Sequence, residues 1–307
     1  MRLGTRGSFL ARTQSQQVAD ELMRRHPGLH IDLIIIKTSG DLVTDKPLHE
    51  FGGKGLFTKE LELALLQNEV DFAVHSFKDV PVTMPLVDQT DLTIAAIPAR
   101  EDPRDVLATR EGVALDALPK GSRVGTGSLR RAAQIIALRP DLQILPIRGN
   151  IDTRLRKLRD GDFDAVILAA AGLKRAALYD PRIMRPIEPD QMLPAAGQGA
   201  LAIQCRRDDS ETTALLRVLH DEPTAIAVSA EREIVRGLDG DCHSPIAALG
   251  TITGQTLNLR VAVAHRGGFP PLLHTSAQGP VTDPIAVAHS ALNSLRNMNV
   301  HAVLHGT

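Results

Sequence analysis

Apolar residues follow two spacings along the first two-thirds of the chain. Residues 30–37 (HIDLIIIK), 71–76 (DFAVHS) and 165–169 are short apolar runs, which predict buried strands. Residues 9–25 and 56–67 repeat apolar side chains every three or four positions, which predicts amphipathic helices. Further strands are predicted at 3–5, 92–97, 123–126 and 143–147, and further helices at 128–138 and 152–159. This alternation favours an α/β class with doubly wound, parallel-rich sheets.

The chain also contains an internal repeat. LGTRGSFLAR (residues 3–12) resembles VGTGSLRR (residues 124–131), and VDFAVHS (from residue 70) is matched by FDAVILA (from residue 163). In both copies a strand is followed by Gly-Thr, a glycine, a serine and a helix that carries Arg, and an acidic turn later precedes a buried strand. Two similar pairs in the same order predict two similar α/β lobes with a cleft between them.

The last third differs from the rest. A helix is predicted at 224–237, residues 256–265 alternate like a half-exposed antiparallel strand, and residues 283–298 read as a helix. These features indicate a smaller α+β domain. With 307 residues the chain is long enough for two or three domains. We expect a first lobe of residues 1–98 and 195–214, a second lobe of 99–194, and a C-terminal domain of 215–307.

Composition excludes several classes of protein. A net charge of −1, a single Tyr and no Trp disfavour a nucleic-acid binder. The longest apolar run, residues 165–173, is too short to cross a bilayer, so no membrane association is expected. The N-terminus has no signal-peptide core, and two cysteines imply no disulfide framework, so we expect a cytoplasmic protein. No long exposed apolar stripe is evident, which favours a monomer.

Arginine dominates the cations, at 27 of the 35 basic residues. This bias can reflect a GC-rich genome, or a need for side chains that bind carboxylates with two parallel hydrogen bonds. In VGTGSLRR, Ser128 can cap a helix whose first turn carries Arg130 and Arg131, where the helix dipole disfavours cations. The motif is therefore either a solvated basic helix start or an anion site, and residues 5–8 repeat the arrangement with Arg6.

Other charged residues follow predicted strands. Arg148 ends one strand and Arg154 lies on the next helix, so both can converge on a crevice at the carboxyl ends of the strands. Lys78 and Asp79 follow strand 71–76 at a comparable edge, either as a loop ion pair or as groups for acid–base and electrostatic catalysis. His75 and Ser76 lack a nucleophile elbow, which disfavours a hydrolase.

Cys242 lies in GDCHSP (residues 240–245), a polar loop with no second cysteine at metal-ligand spacing. It is either an inert thiol or a cysteine that forms a covalent bond.

Taken together, these motifs resemble the porphobilinogen deaminase (hydroxymethylbilane synthase) family. The resemblance rests on GGKGLFTKELE, DFAVHSFKDVP, EDPRD, VGTGSLRRAAQ, RGNIDTRL, ILAAAGLKR, LPAAGQGALAIQCR and the glycine-flanked Cys242. It implies a three-domain fold with two lobes like periplasmic binding proteins. It also implies an enzyme that joins four porphobilinogen molecules head to tail, loses ammonia at each step, and hydrolyses off linear hydroxymethylbilane. Each pyrrole of its dipyrromethane cofactor carries an acetate and a propionate.

The resemblance also implies roles for individual residues. Cys242 would hold the cofactor by a thioether, and Cys205 would be a core thiol. Asp79 would be the catalytic carboxylate, assisted by Lys78 and Arg6. The residues expected to bind the cofactor are Lys78, Thr126, Ser128, Arg130, Arg131 and Arg154. Those expected to bind the substrate or growing chain are Arg6, Ser8, Gln14, Arg148 and Asn150, while Lys54 and Phe57 match a mobile flap.

Three local features depart from the family pattern. Asp241 replaces a small residue before the cysteine and could raise the pKa of the thiol. Gly127 stands where serine is common, and Phe77 replaces an aliphatic residue or Met. A two-lobed, non-enzymatic binder of a carboxylate ligand is the alternative, but it explains neither the third domain nor Cys242.

Overall fold

The computed structural model describes residues 1–38, 58–82, 91–241 and 243–305. The chain divides into two compact units, Met1–Arg100 with Ala200–Ala225 and Glu101–Gly199 with Ile226–Thr307. Lys54, Phe57 and Cys242 lie outside the described residues. The three-domain boundaries expected from the sequence stay a prediction.

The described residues alternate strands and helices in chain order. The strands are β1 (Arg2–Arg6), β2 (Asp32–Ile36), β3 (Phe72–Ser76), β4 (Leu92–Ala96), β5 (Asp105–Thr109), β6 (Arg123–Gly125), β7 (Gln143–Leu145), β8 (Ala165–Ala169), β9 (Met184–Ile187), β10 (Leu201–Arg206), β11 (Ile246–Thr253), β12 (Thr256–Ala264) and β13 (Leu272–Pro280). The helices are α1 (Phe9–Arg25), α2 (Lys59–Leu66), α3 (Leu129–Leu138), α4 (Ile151–Arg159), α5 (Ala170–Arg175), α6 (Ser210–Arg217), α7 (Glu222–Gly237), α8 (Pro284–Asn297) and α9 (Val300–His305).

The first unit is built on a five-stranded sheet in the order β2-β1-β3-β10-β4. Strands β2, β1 and β3 are parallel, and β10 runs antiparallel to both β3 and β4. Helix α1 buries Val18, Ala19 and Leu22 in one core with Leu3 and Phe72. A separate core forms around α2, which buries leucines at the spacing of one helix face.

The second unit repeats this topology. Its larger sheet has the order β7-β6-β8-β5-β9, with three parallel strands and β5 antiparallel to β8 and β9. The register matches as well, because Gly4 of β1 lies beside Ala73 of β3, and Gly125 of β6 lies beside Val166 of β8. The predicted repeat and the α/β class are confirmed.

Each of these parallel-rich sheets contains one antiparallel strand, β10 in the first unit and β5 in the second. Strand β5 belongs to unit two and comes directly after the first chain segment of unit one. Strand β10 belongs to unit one and comes directly after the first chain segment of unit two. Each therefore enters its sheet from a distant part of the sequence rather than through a β-helix-β crossover, and such an entry does not require a parallel orientation.

The C-terminal part of the second unit holds a three-stranded antiparallel sheet, β11-β12-β13. Helix α8 begins at Pro284 after the N-cap Asp283, whose carboxylate accepts a hydrogen bond from the Ala286 amide. It packs on this sheet through Val287, Ala291 and other residues of one face. No helix among the described residues is both long enough and apolar enough to cross a bilayer.

Candidate active site

Three predicted site residues of the first unit lie at the carboxyl ends of neighbouring parallel strands. Arg6 ends β1, while Lys78 and Asp79 lie in a single 3-10 turn directly after β3. The Phe77 side chain is buried and its amide donates to the Ala200 carbonyl at 3.0 Å, which ties the turn to the chain before β10. This sheet edge is where ligands bind in open α/β folds.

Ser8 is the N-cap of α1, the helix that follows β1, and Gln14 lies within that helix. The Ser8 hydroxyl caps α1 by accepting from the Ala11 amide at 3.3 Å. Gln14 is buried, and its Oε1 accepts from the Ser76 hydroxyl at 3.1 Å. Gln14 is therefore held against the end of β3 by its carbonyl oxygen.

His75 and Ser76 do not form a nucleophile pair. The His75 Nε2–H donates to Oε1 of Gln204 at 3.0 Å, whereas Ser76 bonds to Gln14. Burial lowers the pKa of His75 to about 4; the hydrogen bond to Gln204 opposes this, and the positive charge of Arg6 adds to it. His75 is thus a neutral core residue.

This burial predicts a pH dependence of stability. The His75 ring is neutral in the folded chain down to about pH 4, whereas in the unfolded chain the same ring protonates near the ordinary histidine pKa of 6.5. Stability from this group is therefore complete above pH 6.5 and falls as the pH drops from 6.5 to 4, by about 3 kcal/mol. We expect the free energy of unfolding, measured by urea titration at several pH values in this window, to depend less steeply on pH in His75→Gln than in the native chain. His30→Gln, which changes an exposed ring, is the control. An unchanged pH dependence of the unfolding free energy in His75→Gln would contradict the assignment.

The second unit places Thr126 and Ser128 at the end of β6. The Thr126 hydroxyl is buried and accepts from the Ser128 amide at 3.2 Å. The Ser128 hydroxyl in turn caps α3 by accepting from the Arg131 amide at 3.5 Å. The turn therefore orients the first residues of α3, as the sequence predicts.

Arg130 and Arg131 are buried and share one carboxylate that no sequence motif indicated. Arg130 Nη1 donates to Asp105 Oδ2 at 2.7 Å, and Arg131 donates to Oδ1 from Nε at 3.1 Å and Nη2 at 2.7 Å. Asp105 is 0% exposed, and the two arginines hold its pKa well below the usual range although burial opposes this. The expected anion site thus already contains one internal anion.

Two further arginines add uncompensated charge. Arg154 donates from Nε to the Gly149 carbonyl at 2.8 Å. Its pKa is lowered to about 10 by burial and by the positive charges of Arg131 and Arg148. Arg148 makes no hydrogen bond or ion pair within the ranges that the structure describes. Asn150, which precedes α4, is exposed and makes no side-chain cap.

We refer to Arg130, Arg131, Arg148 and Arg154 as the arginine cluster. Their mutual electrostatic effects link all four, and Asp105 is the carboxylate that faces Arg130 and Arg131. The cluster holds four guanidinium groups, and one carboxylate, Asp105, contacts two of them, so positive charge is in excess. Such an arrangement fits a ligand that carries several carboxylates.

Arg175 is a further buried arginine of the second unit that the sequence did not single out. Arg175 ends α5, and burial lowers its pKa to about 10 although Glu101 opposes this. Its Nη2 donates to the Gly199 carbonyl at 2.8 Å. The motif ILAAAGLKR contains this residue, and its position just after the buried strand β8 was the signal available in the sequence.

Cys205 has the environment of an inert thiol. It lies in β10 at 0% exposure, its Sγ contacts the Thr213 hydroxyl at 3.4 Å, and burial raises its pKa. These features keep the sulfur protonated and away from a ligand. They agree with the core role expected for Cys205.

Residues on both sides of Cys242 are connected by hydrogen bonds. Asp241 Oδ1 accepts from the His243 amide, the Ser244 amide and the Ser244 hydroxyl, each at 2.9 Å. These bonds lower the pKa of Asp241 although burial opposes the shift. The Asp241 carboxylate therefore has local partners, and its suggested effect on the thiol stays a hypothesis.

Comparison with known proteins gives consistent matches along the chain. The family model "Porphobilinogen deaminase, dipyromethane cofactor binding domain" matches residues 1–214, and "Porphobilinogen deaminase, C-terminal domain" matches residues 225–297. The porphobilinogen deaminase of Roseiflexus sp. (strain RS-1) is 45% identical over 304 residues, covering 99% of this chain and 98% of the relative. That of Syntrophobacter fumaroxidans is 51% identical over 268 residues, covering 87% and 85%.

Among solved structures, the periplasmic sulfonate-binding protein SsuA from Methylobacillus flagellatus KT is similar with a TM-score of 0.39 and 10% identity. The match covers 76% of this chain and 67% of that chain.

Proposed function

The chain belongs to the porphobilinogen deaminase family, and we propose that its arginine cluster and the residues around Asp79 carry out the reaction of that family. The protein is a transferase that condenses porphobilinogen stepwise, with loss of ammonia, and releases linear hydroxymethylbilane. Its cofactor is dipyrromethane. When bound, the cofactor supplies the pyrrole carbon from which the chain grows.

The single observation that supports the binding role is the excess positive charge of the arginine cluster. Burial, with the positive charges of Arg131 and Arg148 added to it, lowers the pKa of Arg154, and Arg148 makes no ion pair among the described residues. Acetate and propionate groups would relieve this repulsion by forming charge-assisted hydrogen bonds. We assign Arg130, Arg131 and Arg154 to the cofactor, with Thr126, Ser128 and Lys78, and Arg148 and Asn150 to the incoming substrate or growing chain.

The reacting groups are proposed on the first unit. Asp79 would accept a hydrogen bond from the substrate pyrrole N–H and stabilise the positive charge that develops as ammonia leaves. Lys78 and Arg6 would assist from the same sheet edge, and Ser8 and Gln14 would orient the substrate. The short turn that holds Asp79 is fastened by the buried Phe77, which supports a fixed position for this carboxylate.

Cys242 is the proposed attachment point of the cofactor. The chain contains two cysteines, and the buried, strand-bound Cys205 has no access to a ligand. We further propose that the enzyme works as a monomer in the cytoplasm, on the sequence grounds of few cysteines and no exposed apolar stripe. Size-exclusion chromatography with light scattering tests the monomer.

Turnover of porphobilinogen by the purified protein tests the function. We expect ammonia and hydroxymethylbilane in a ratio of four to one, with the bilane measured as the uroporphyrin into which it closes and oxidises. Reversible binding of porphobilinogen without ammonia release would instead favour a non-enzymatic carboxylate binder.

A further inference from the structure

Asp105 is a buried carboxylate to which neither the sequence motifs nor the proposed function give a role. It begins β5, whose register places it beside Ala169 at the carboxyl end of β8. Both of its oxygens are used, Oδ2 by Arg130 and Oδ1 by Arg131 and by the Gln198 amide at 2.9 Å. A charged group without exposure is stable there only because these partners surround it.

The contacts of Asp105 determine where both guanidinium groups lie. Arg130 and Arg131 are neighbours in the first turn of α3, where their positive charges repel each other and oppose the helix dipole. The shared carboxylate offsets both effects and gives the two side chains a common anchor. Ile167 and Leu193 add carbonyl acceptors to Arg131 and Arg130, at 3.0 and 2.6 Å.

The same contacts leave one edge of Arg130 available. Both N–H groups of Nη1 are used, by Asp105 and by the Leu193 carbonyl. Nε and Nη2 make no hydrogen bond within the residues that the structure describes. A guanidinium group has five N–H donors, so three of them remain for a ligand.

We propose that Asp105 is a positioning residue that presents Arg130 and Arg131 to the carboxylates of the cofactor. This inference rests on the proposed function, because it assigns a role within the same site. It predicts that loss of the carboxylate slows cofactor attachment more than loss of an equivalent ion pair elsewhere.

Asp164 offers a comparison within the same sheet, at a carboxylate that is 30% exposed. Its carboxylate also binds an arginine of the second unit, through two bonds from the Arg123 side chain and one from the Arg123 amide. It precedes β8, whereas Asp105 pairs with the residue that ends β8. Asp105→Asn and Asp164→Asn thus remove one charge each at opposite ends of the same sheet.

The experiment uses full-length chains made in cells that cannot synthesise porphobilinogen. Each chain is incubated with porphobilinogen, and the dipyrromethane adduct is followed by intact-mass spectrometry. We expect the native chain and Asp164→Asn to form it at similar rates. Asp105→Asn should be slower by about 10- to 100-fold, the size of effect expected when binding groups shift by about an ångström. Circular dichroism establishes that each variant is folded.

The outcomes separate the inference from the function on which it rests. No adduct on the native chain would overturn the proposed function. Native-like loading of a folded Asp105→Asn would overturn the role of Asp105 alone, as would equal slowing in Asp164→Asn. If Asp105→Asn does not fold, Asp105→Glu keeps the charge but moves it by one methylene. Slower loading of that variant supports the positioning role, and native loading overturns it.

Discussion

Replacement of Cys242 by serine is expected to remove the covalent cofactor completely. Purified from cells that make porphobilinogen, the native chain should carry the added mass of two linked pyrroles, and Cys242→Ser should have the mass of the bare polypeptide. The reason is chemical, because a thioether requires a sulfur nucleophile, and a serine hydroxyl is not activated at neutral pH without an adjacent base. Turnover should be lost with the adduct.

Cys205→Ser is the matched control, since it changes the other cysteine in the same way. The Cys205 sulfur is buried in β10 and contacts Thr213, an interaction that a serine hydroxyl can reproduce. We expect a modest loss of stability, on the order of 1–2 kcal/mol for a buried hydroxyl, and a normal adduct. An adduct that persists in Cys242→Ser, or disappears in folded Cys205→Ser, would contradict the assignment of the tether.

The regular elements were predictable where local chemistry determines them. Helix α1 runs from Phe9 to Arg25 as its apolar spacing predicts, and α3 begins directly after the predicted cap Ser128. Both signals depend on residues within a few positions of each other. The strands β5, β9, β11 and β13 were not predicted, and β5 and β9 pair with strands that lie far away in the sequence.

The same distinction applies to the candidate site. The sequence placed Arg130 and Arg131 at an anion site but did not identify Asp105, which precedes Arg130 by 25 positions. Only the antiparallel pairing of β5 with β8 brings that carboxylate to the edge where α3 begins. The second Asp of EDPRD carries no local signal of such a contact.

The two copies of the internal repeat carry different charged residues on similar backbones. Helices α1 and α3 both start directly after a capping serine, and a Gly-Thr pair lies a few residues before that serine in both copies. The first turn of α1 is Phe9-Leu10-Ala11, while that of α3 contains Arg130 and Arg131. The equivalent sheet edge carries Asp79 after β3 in the first unit. Similar backbones therefore present a carboxylate in one unit and an arginine cluster in the other.

Replacement of Asp79 by asparagine is expected to keep the adduct and lose nearly all turnover. Asparagine preserves the size of the side chain and can still accept a hydrogen bond, but it lacks the negative charge that we propose stabilises the developing cation. Loss of one such electrostatic contact lowers kcat by roughly 100- to 1,000-fold. Steady-state release of ammonia, measured beside intact mass, separates this loss from a failure to load the cofactor.

Asp71→Asn is the control for Asp79→Asn in the same unit, because Asp71 precedes β3 and pairs with Arg2 at the opposite end of the sheet. The control removes the same charge from a place that no substrate is proposed to reach, so it should turn over at close to the native rate. Near-native turnover in a loaded Asp79→Asn protein would show that another group stabilises the cation. Loss of the adduct would instead place Asp79 in cofactor assembly, because the cofactor is built from the same substrate by the same loss of ammonia.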